Sequence, residues 1–326
     1  KKVNYHTSNL GLRNHIIKCA HLAIEHGSVI MFEDDLFVAP TFYRYATEAL
    51  HFSMNKDYIG GISLYNHQLN AQTHRNFSPI EDGYDNWYFQ FAASWGQGWT
   101  KSQWEGFIQW YESNPILEAK SSVPANVTHW SEKSWLKFYV AYLIETDKYF
   151  LYPKVALSSN FSEAGTHNSS ISTAFQVTLR YEIQSKFNFS SLDQSKSVYD
   201  AFYENMKLTE HLDINSEKCC IDIHAFKQIP SNVRYLLSTK KLSYTILKSF
   251  GKSLKPVDLN IIFDVPGKDI FLYDLSKPNK NNFSNNRYSE LTYNYKIITL
   301  KDATYLFFKI TLIRLGNLRR KLFSSN

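Results

Sequence analysis

The chain has 326 residues and a net charge of +6, and 44% of its residues are hydrophobic and 16% aromatic. This composition excludes a disordered chain and allows one large domain or two ordinary ones. Three cysteines, Cys19, Cys219 and Cys220, are too few for a disulfide framework and favour a reducing compartment.

The first fifty residues predict a helix, a strand and a second helix. An apolar face recurs at helical spacing between Asn9, a candidate cap, and Gly27, a stop signal. Residues 28–32 then form a strand, and Pro40 opens the second helix. The apolar faces consist of Ile16, Ile17, Ala20, Ala23 and Ile24 in the first helix and of Phe42, Tyr45, Ala46, Ala49 and Leu50 in the second.

Strand and helix patterns continue to alternate beyond residue 50, and from about residue 181 the composition shifts to Lys, Ser and Asn. Alternation of this kind predicts an α/β fold. We expect strands at 58–65 and 151–160, a mobile loop at 66–86, helices near 101–113 and 131–146, and strand-like runs at 260–263 and 270–273.

Three acidic residues follow the first predicted strand, within VIMFEDDLFVAP at 29–40. Unpaired charge beside a core is unfavourable, so we expect Glu33, Asp34 and Asp35 to face a cleft at the carboxyl end of the strand. Adjacent carboxylates suit Mg²⁺ or Mn²⁺, and such a cation suits a diphosphate. The alternative is a solvated helix N-terminus, where carboxylates interact favourably with the helix dipole.

Four stretches follow one another in the sequence: NLGLRNHIIKCAHLAIEHGSVIMFEDDLFVAPTFYRY, GISLYN (61–66), SWGQGWTKSQW (94–104) and YPKVALSSNFSEAGTHNS (152–169). Together they resemble metal-dependent GT-A glycosyltransferases, specifically bacterial polysaccharide enzymes of the family 2 type. More distantly, they resemble the eukaryotic N-acetylglucosaminyltransferase I group. The resemblance covers about residues 5–185 and implies a GT-A-like, Rossmann-type sheet with helices on both faces.

This resemblance implies roles for the acidic triplet and for one histidine. Asp35 would bind the metal directly, and Glu33 and Asp34 would hold the ribose or donor sugar through its hydroxyls, since ionised carboxylates accept several hydrogen bonds. His167 would approach the metal or the diphosphate. The alternative for His167 is a residue of a surface loop.

The Trp-Gly-x-x-Trp segment of the resemblance lines the donor and acceptor cleft. Gly96 and Gly98 would let the backbone approach a sugar closely. Trp95 and Trp99 would offer apolar faces to a pyranose ring, and core packing is the alternative for at least one of them.

An inverting transfer needs a carboxylate that deprotonates the acceptor hydroxyl. The distant group carries an acidic residue between two tryptophans, and Glu132 occupies such a place in HWSEKSWLKF (129–138), although the spacing differs. Asp82 and Asp85 are rival candidates. Glu132 is otherwise a carboxylate at a helix start, with Ser131 as the cap.

We expect a catalytic domain at 1–185 and an accessory C-terminal region of mixed structure at 186–326. The family has a nucleoside-binding strand and helix before the first motif, and we expect the catalytic domain of this chain to lack them. The last segment, TYLFFKITLIRLGNLRRKLF, is basic and apolar without an acidic residue. It predicts peripheral contact with an anionic membrane, and a helix docked on the core is the alternative.

The resemblance, together with the acidic triplet, implies a cytoplasmic, metal-dependent, inverting glycosyltransferase. Its donor would be a nucleotide-diphosphate sugar, its cofactor Mn²⁺ or Mg²⁺, and its acceptor a surface polysaccharide or lipid-linked glycan; no nucleic-acid partner is expected. A non-catalytic glycan- or nucleotide-binding module of the same fold is the first alternative. A two-metal phosphohydrolase is less favoured, because its Asp and His ligands are not clustered in the sequence.

Overall fold

The computed structural model describes residues 3, 5–118, 120–161, 173–283, 287–295 and 299–323, with the backbone alone at 287 and 317–323. The chain divides into two compact units, Lys1–Asn281 and Asn282–Asn326. Each unit is described by itself below.

The first unit alternates helices and strands as far as residue 160 and then continues mainly with strands. Two 3-10 helices, Met206–His211 and Ser216–Lys218, precede its second sheet. Its first part contains α1 Gly11–Ala20, α2 Leu22–His26, β1 Ser28–Met31, β2 Leu36–Val38, α3 Phe42–Ser53, β3 Ile59–Ser63, β4 Leu69–Asn70, β5 Arg75–Asn76, β6 Asn86–Phe89, β7 Gln97–Thr100, α4 Lys101–Ser113, α5 Ala125–Thr128, α6 Leu136–Glu145, β8 Tyr149–Pro153, β9 Ser158–Asn160 and β10 Val198–Tyr199. Its second part contains β11 Cys219–Asp222, β12 Tyr235–Ser238, β13 Tyr244–Phe250, α7 Leu259–Ile262 and β14 Ile270–Pro278.

The main sheet has the strand order β1-β7-β3-β8-β6-β10 within the described residues. Strand β7 is antiparallel to both β1 and β3, and β3 is parallel to β8, so β1, β3 and β8 point the same way. Their carboxyl ends therefore meet at one edge of the sheet, beside the start of β7. The predicted α/β class is confirmed at this level: the fold is mixed α/β with a mixed sheet.

Helices cover both faces of this sheet. Successive residues of a strand point to opposite faces, so each face contributes its own side chains to a core. On one face Phe150 and Tyr152 of β8 belong to a core that includes residues of α1, α2, α4 and α6. On the other face Leu151 packs with α3. The buried positions of α3 are Tyr45, Ala46, Ala49, Leu50 and Ser53.

Several predicted elements are confirmed closely. Gly27 ends α2 in a left-handed conformation, with φ 84°, and the apolar face predicted for α3 is its buried face. Helix α4 spans 101–113 as predicted. It begins with a capping box in which Thr100 and Gln103 bond each other's backbone N–H groups.

Other predicted elements differ in the structure. Residues 66–86 contain the hairpin β4–β5 and buried side chains at Asn66, His67 and Asn70, so a mobile loop is wrong there. The strand expected at 151–160 is divided into β8 and β9. Most of the run at 260–263 lies in the short helix α7, which ends at Ile262, because a short apolar run does not distinguish a strand from a buried helix.

The second sheet has the order β11-β12-β14-β13 and packs over a core of its own that includes Ile221, Leu237, Phe250 and Leu272. The strand predicted at 270–273 is the start of β14. The domain boundary that we expect near residue 185 stays a prediction; β10, beyond that residue, still pairs with β6 of the main sheet.

The second unit contains two helices in its described part, α8 Arg287–Asn294 and α9 Leu300–Phe323. None of the helices in the described part of the chain is long and apolar enough to cross a membrane.

Candidate functional site

The acidic triplet lies in the turn between β1 and β2, at the edge where β1, β3 and β8 end. Glu33 is partly buried, whereas Asp34 and Asp35 are exposed. None of these carboxylates has a basic partner among the described residues. The triplet therefore presents unpaired negative charge at the carboxyl edge of the sheet, and the cleft that we expect beside it stays a prediction.

A short two-stranded sheet positions this turn. Strand β2 pairs with β9, and Leu36 lies opposite Asn160. The Phe161 N–H then donates a hydrogen bond of 3.0 Å to the Asp35 carbonyl. The chain leaving β9 therefore begins beside the triplet. His167, the predicted second metal ligand, lies outside the described residues.

Crowding changes the titration of Glu33. Burial, followed by the charges of Asp35 and Asp34, raises the pKa of the Glu33 carboxyl from 4.5 to about 7. Each of these causes disfavours a third negative charge in the turn. A bound cation has the opposite effect, because it favours the ionised carboxylates.

Gly96 approaches the triplet from the segment before β7. Its φ is +84°, and an added Cβ would lie 2.8 Å from Ser158 Oγ and 3.2 Å from the ring of Phe32, the residue before Glu33. A side chain at this position would be unfavourable for two reasons: the positive φ strains the backbone, and the Cβ would contact Ser158 and Phe32 too closely. Glycine is therefore required here by the close approach of three chain segments.

Gly98 and Trp99 occupy the interior instead of a cleft. An added Cβ at Gly98 would lie 2.9 Å from the Val29 carbonyl oxygen, so this glycine allows β1 and β7 to pack. The Trp99 side chain is fully buried, with its ring centroid 5.0 Å from that of Trp104. The predicted contacts of both residues with a sugar do not fit this placement, and their role in the structure is packing.

Trp95, in contrast, is only partly buried. Its ring packs against Tyr65 at 4.7 Å and Phe175 at 5.4 Å between centroids. The Ser158 hydroxyl donates a hydrogen bond of 2.5 Å to the Trp95 carbonyl, which links this residue to β9. Of the two tryptophans in the motif, Trp95 is therefore the one that leaves an aromatic surface at this edge.

Glu132 precedes α6, which begins at Leu136, so the expected helix start at Ser131 is wrong. The Ser131 hydroxyl instead accepts a hydrogen bond from the Lys133 N–H. The Glu132 carboxylate accepts a hydrogen bond of 2.6 Å from Lys137 Nζ, and this contact lowers the pKa of Glu132 below its ordinary value. The flanking Trp135 is buried and does not form the wall of an open cleft.

The rival bases, Asp82 and Asp85, connect the sheet to the chain that follows it. Asp82 pairs with Lys154 at 3.2 Å and accepts a hydrogen bond of 2.9 Å from Ser195. Asp85 accepts hydrogen bonds from Gln184 and from the Asn188 backbone. The hydrogen bonds from Ser195, Gln184 and Asn188 hold this part of the chain against the two carboxylates.

Sequence reasoning missed one polar residue beside the triplet. Gln97 lies opposite Met31 in β1 and Ser63 in β3, and it is fully buried. Neither its amide oxygen nor its amide nitrogen has a hydrogen-bond partner within the described residues. The only signal in the sequence is a polar residue between Gly96 and Gly98.

The triplet is the feature that suits a divalent cation. Among the described residues, no group of three or more His, Cys, Asp and Glu side chains is arranged to hold a metal ion. A Mg²⁺ site needs only one or two protein carboxylates when waters and substrate phosphates supply the other ligands. The exposed carboxylates of Asp34 and Asp35 fit that kind of open site.

Comparison with known proteins adds no further assignment. No family model matches the chain, and no curated protein matches its sequence.

Proposed function

We propose that this chain is a metal-dependent glycosyltransferase of GT-A type. It transfers a sugar from a nucleotide-diphosphate donor to a surface polysaccharide or lipid-linked glycan, with inversion. The resemblance in four ordered motifs suggests this reaction. The observation that carries the proposal is the unpaired acidic triplet where β1 ends.

Charge explains why this turn suits the donor. Three consecutive carboxylates repel one another, and burial together with this repulsion raises the pKa of Glu33. A divalent cation relieves the repulsion, and a diphosphate completes its oxygen shell. In this proposal Asp35 holds the metal, which is Mn²⁺ or Mg²⁺, and His167 is the second ligand implied by the resemblance.

The other residues at this edge orient the donor. Glu33 and Asp34 accept hydrogen bonds from hydroxyls of the ribose or the sugar. Trp95 offers its partly exposed ring to the apolar face of a pyranose. Gly96 keeps side-chain atoms out of the space between Phe32 and Ser158.

The chemical step in this proposal is a direct displacement at the donor sugar. The metal, when bound, stabilises the charge that develops on the leaving diphosphate. A carboxylate removes the proton of the acceptor hydroxyl, and Glu132 is the candidate that the resemblance supplies. We place the enzyme in the cytoplasm, where nucleotide sugars are available.

A non-catalytic module that binds a nucleotide or glycan is the second candidate. The Glu132–Lys137 contact favours it, since an ion pair that lowers the pKa of a carboxylate also weakens it as a base. A module of this kind keeps the acidic triplet and its ligand but has no acceptor-activating group.

One assay separates the two candidates. A panel of nucleotide-sugar donors is incubated with the protein, Mn²⁺ and a mixture of glycan acceptors, and released nucleoside diphosphate is measured. The enzyme releases nucleoside diphosphate with at least one donor, and chelation of Mn²⁺ stops the release. Metal-dependent donor binding without release supports the binding module, and absence of both overturns the common site.

A further inference from the structure

Helix α9 exposes large apolar side chains along its described part. Between residues 305 and 315 there are eight of them, each between 47% and 66% exposed, and contiguous apolar surfaces of this kind mark interaction sites on folded proteins. The residues are Tyr305, Leu306, Phe307, Phe308, Ile310, Leu312, Ile313 and Leu315.

Six of these eight residues form two stripes on opposite sides of the helix. Leu306, Ile310 and Ile313 follow one another at spacings of four and three residues, which places them on one side. Phe308, Leu312 and Leu315 repeat the same spacings, and an offset of two residues rotates this stripe by roughly 200°. A flat protein surface covers only one side of such a helix.

The charge of α9 is strongly asymmetric. Asp302 is the only acidic residue of the helix, and none follows it to its end at Phe323. Over the same stretch the sequence contains five basic residues, Lys309, Arg314, Arg319, Arg320 and Lys321. Two copies of this helix side by side would bring like charges together, whereas an anionic surface would attract it.

We propose that α9 inserts into the surface of an anionic lipid bilayer. Acyl chains can surround a helix, so they cover both apolar stripes, which one protein partner cannot. The helix lies parallel to the bilayer surface, deep enough at the boundary between headgroups and acyl chains for both stripes to contact lipid. The long side chains of Lys309 and Arg314 extend from between the stripes to the lipid headgroups.

Flotation of the full chain with vesicles tests this proposal. One vesicle preparation contains equal parts of phosphatidylglycerol and phosphatidylcholine, and the other contains phosphatidylcholine alone. The full chain floats with the anionic vesicles and remains mostly free with the neutral ones. Lys309→Gln with Arg314→Gln lowers the affinity for anionic vesicles about 30-fold, since each basic residue near the surface contributes roughly 1 kcal/mol.

A matched pair of double variants tests the apolar contribution. Ile310→Ser with Leu312→Ser changes one residue of each stripe and abolishes flotation with the anionic vesicles. Ile183→Ser with Phe263→Ser changes two similarly exposed residues of the first unit and leaves flotation unchanged. Circular dichroism confirms that all variants keep the helix content of the parent chain.

Two results would overturn the proposal. The first is equal flotation of the parent chain and the Ile310/Leu312 variant. The second is a parent chain that does not float and sediments as a dimer, with the dimer lost in that variant, because a second copy would then cover the helix. Neither result depends on glycosyltransferase activity, so the proposed function is tested separately.

Discussion

Lys137 is 2% exposed and pairs at 2.6 Å with Glu132, which is 86% exposed. A buried ammonium is stable only when a carboxylate or another acceptor compensates its lost hydration. Glu132 therefore has a structural role, whatever it does to an acceptor. This contact also keeps the carboxylate ionised to lower pH than usual.

Replacement of Glu132 by Gln should lower the melting temperature, because the buried Lys137 side chain loses its charged partner. Lys137→Met added to this variant should restore much of the loss. If Glu132 is also the acceptor-activating base, turnover falls roughly 10²–10⁴-fold and stays low in the double variant. If turnover recovers together with stability in the double variant, the role of Glu132 is structural alone. If Asp82→Asn or Asp85→Asn loses turnover while its donor affinity is unchanged, that aspartate is the base instead.

Titration of Glu33 predicts how pH affects the free protein. Since its pKa is raised from 4.5 to about 7, the folded state binds a proton that the unfolded state has released between these values. This contribution to stability is complete below about 4.5 and is lost as the pH rises through about 7. Thermal melts of the parent and of Glu33→Gln between these pH limits test this. As the pH rises, the melting temperature should fall in the parent and not in Glu33→Gln.

The same titration predicts how pH affects metal binding. Mn²⁺ favours the ionised carboxylates, so the affinity of the protein for Mn²⁺ should rise with pH until about 7. Above that pH the affinity should level off, because Glu33 is already ionised and Mn²⁺ no longer displaces its proton. Calorimetry in buffers of different ionisation enthalpy measures the released proton. Glu33→Gln should bind Mn²⁺ with no proton release near pH 6, and unchanged release would assign the proton to another group.

Two glycines with the same backbone conformation allow the effect of backbone strain to be measured separately from that of a steric contact. Gly83 and Gly96 have φ of +85° and +84°, but an added Cβ at Gly83 has nothing within 4 Å. Gly83→Ala should destabilise the fold by about 1 kcal/mol through backbone strain alone. Gly96→Ala should destabilise it further, because its Cβ meets Ser158 and Phe32. Equal denaturation midpoints would refute the close approach at Gly96.

Gln97 predicts a stabilising substitution. Its amide is fully buried without a partner in the described part of the chain, and an unsatisfied buried polar group is unfavourable by about 1–3 kcal/mol. Gln97→Met, of similar size, should therefore raise the free energy of unfolding. Gln90→Met is the control, since Gln90 donates a hydrogen bond of 3.1 Å to Asp147, and it should lower that free energy. A decrease in both variants would indicate a partner for Gln97, such as a buried water.

Strong local patterns made parts of the fold predictable from the sequence. The apolar spacing of α3 and the capping residues of α4 define those helices locally, and the structure agrees. The start of α6 and the division between β8 and β9 depend on tertiary contacts. Ser158, for example, bonds back to Trp95, which no local pattern reports.

The candidate site was predictable to a similar extent. Carboxylates after an apolar strand are visible in the sequence, and the structure places them at the expected edge. Trp95 and Trp99 look alike in the sequence, yet the first is partly exposed and the second is buried. The ion pair between Glu132 and Lys137 could not be predicted from the sequence either, because only the fold determines which lysine is buried beside Glu132.

Calorimetric titration of UDP into the protein with and without Mn²⁺ tests the central claim most directly, with Asp35→Asn and Asp213→Asn as matched variants. Both aspartates are exposed, but only Asp35 lies in the acidic triplet. We predict that UDP binds the parent and Asp213→Asn only when Mn²⁺ is present, and that Asp35→Asn loses this binding while its melting temperature is unchanged. Mn²⁺-dependent affinity that is the same in all three proteins would contradict a metal-dependent donor site at the triplet.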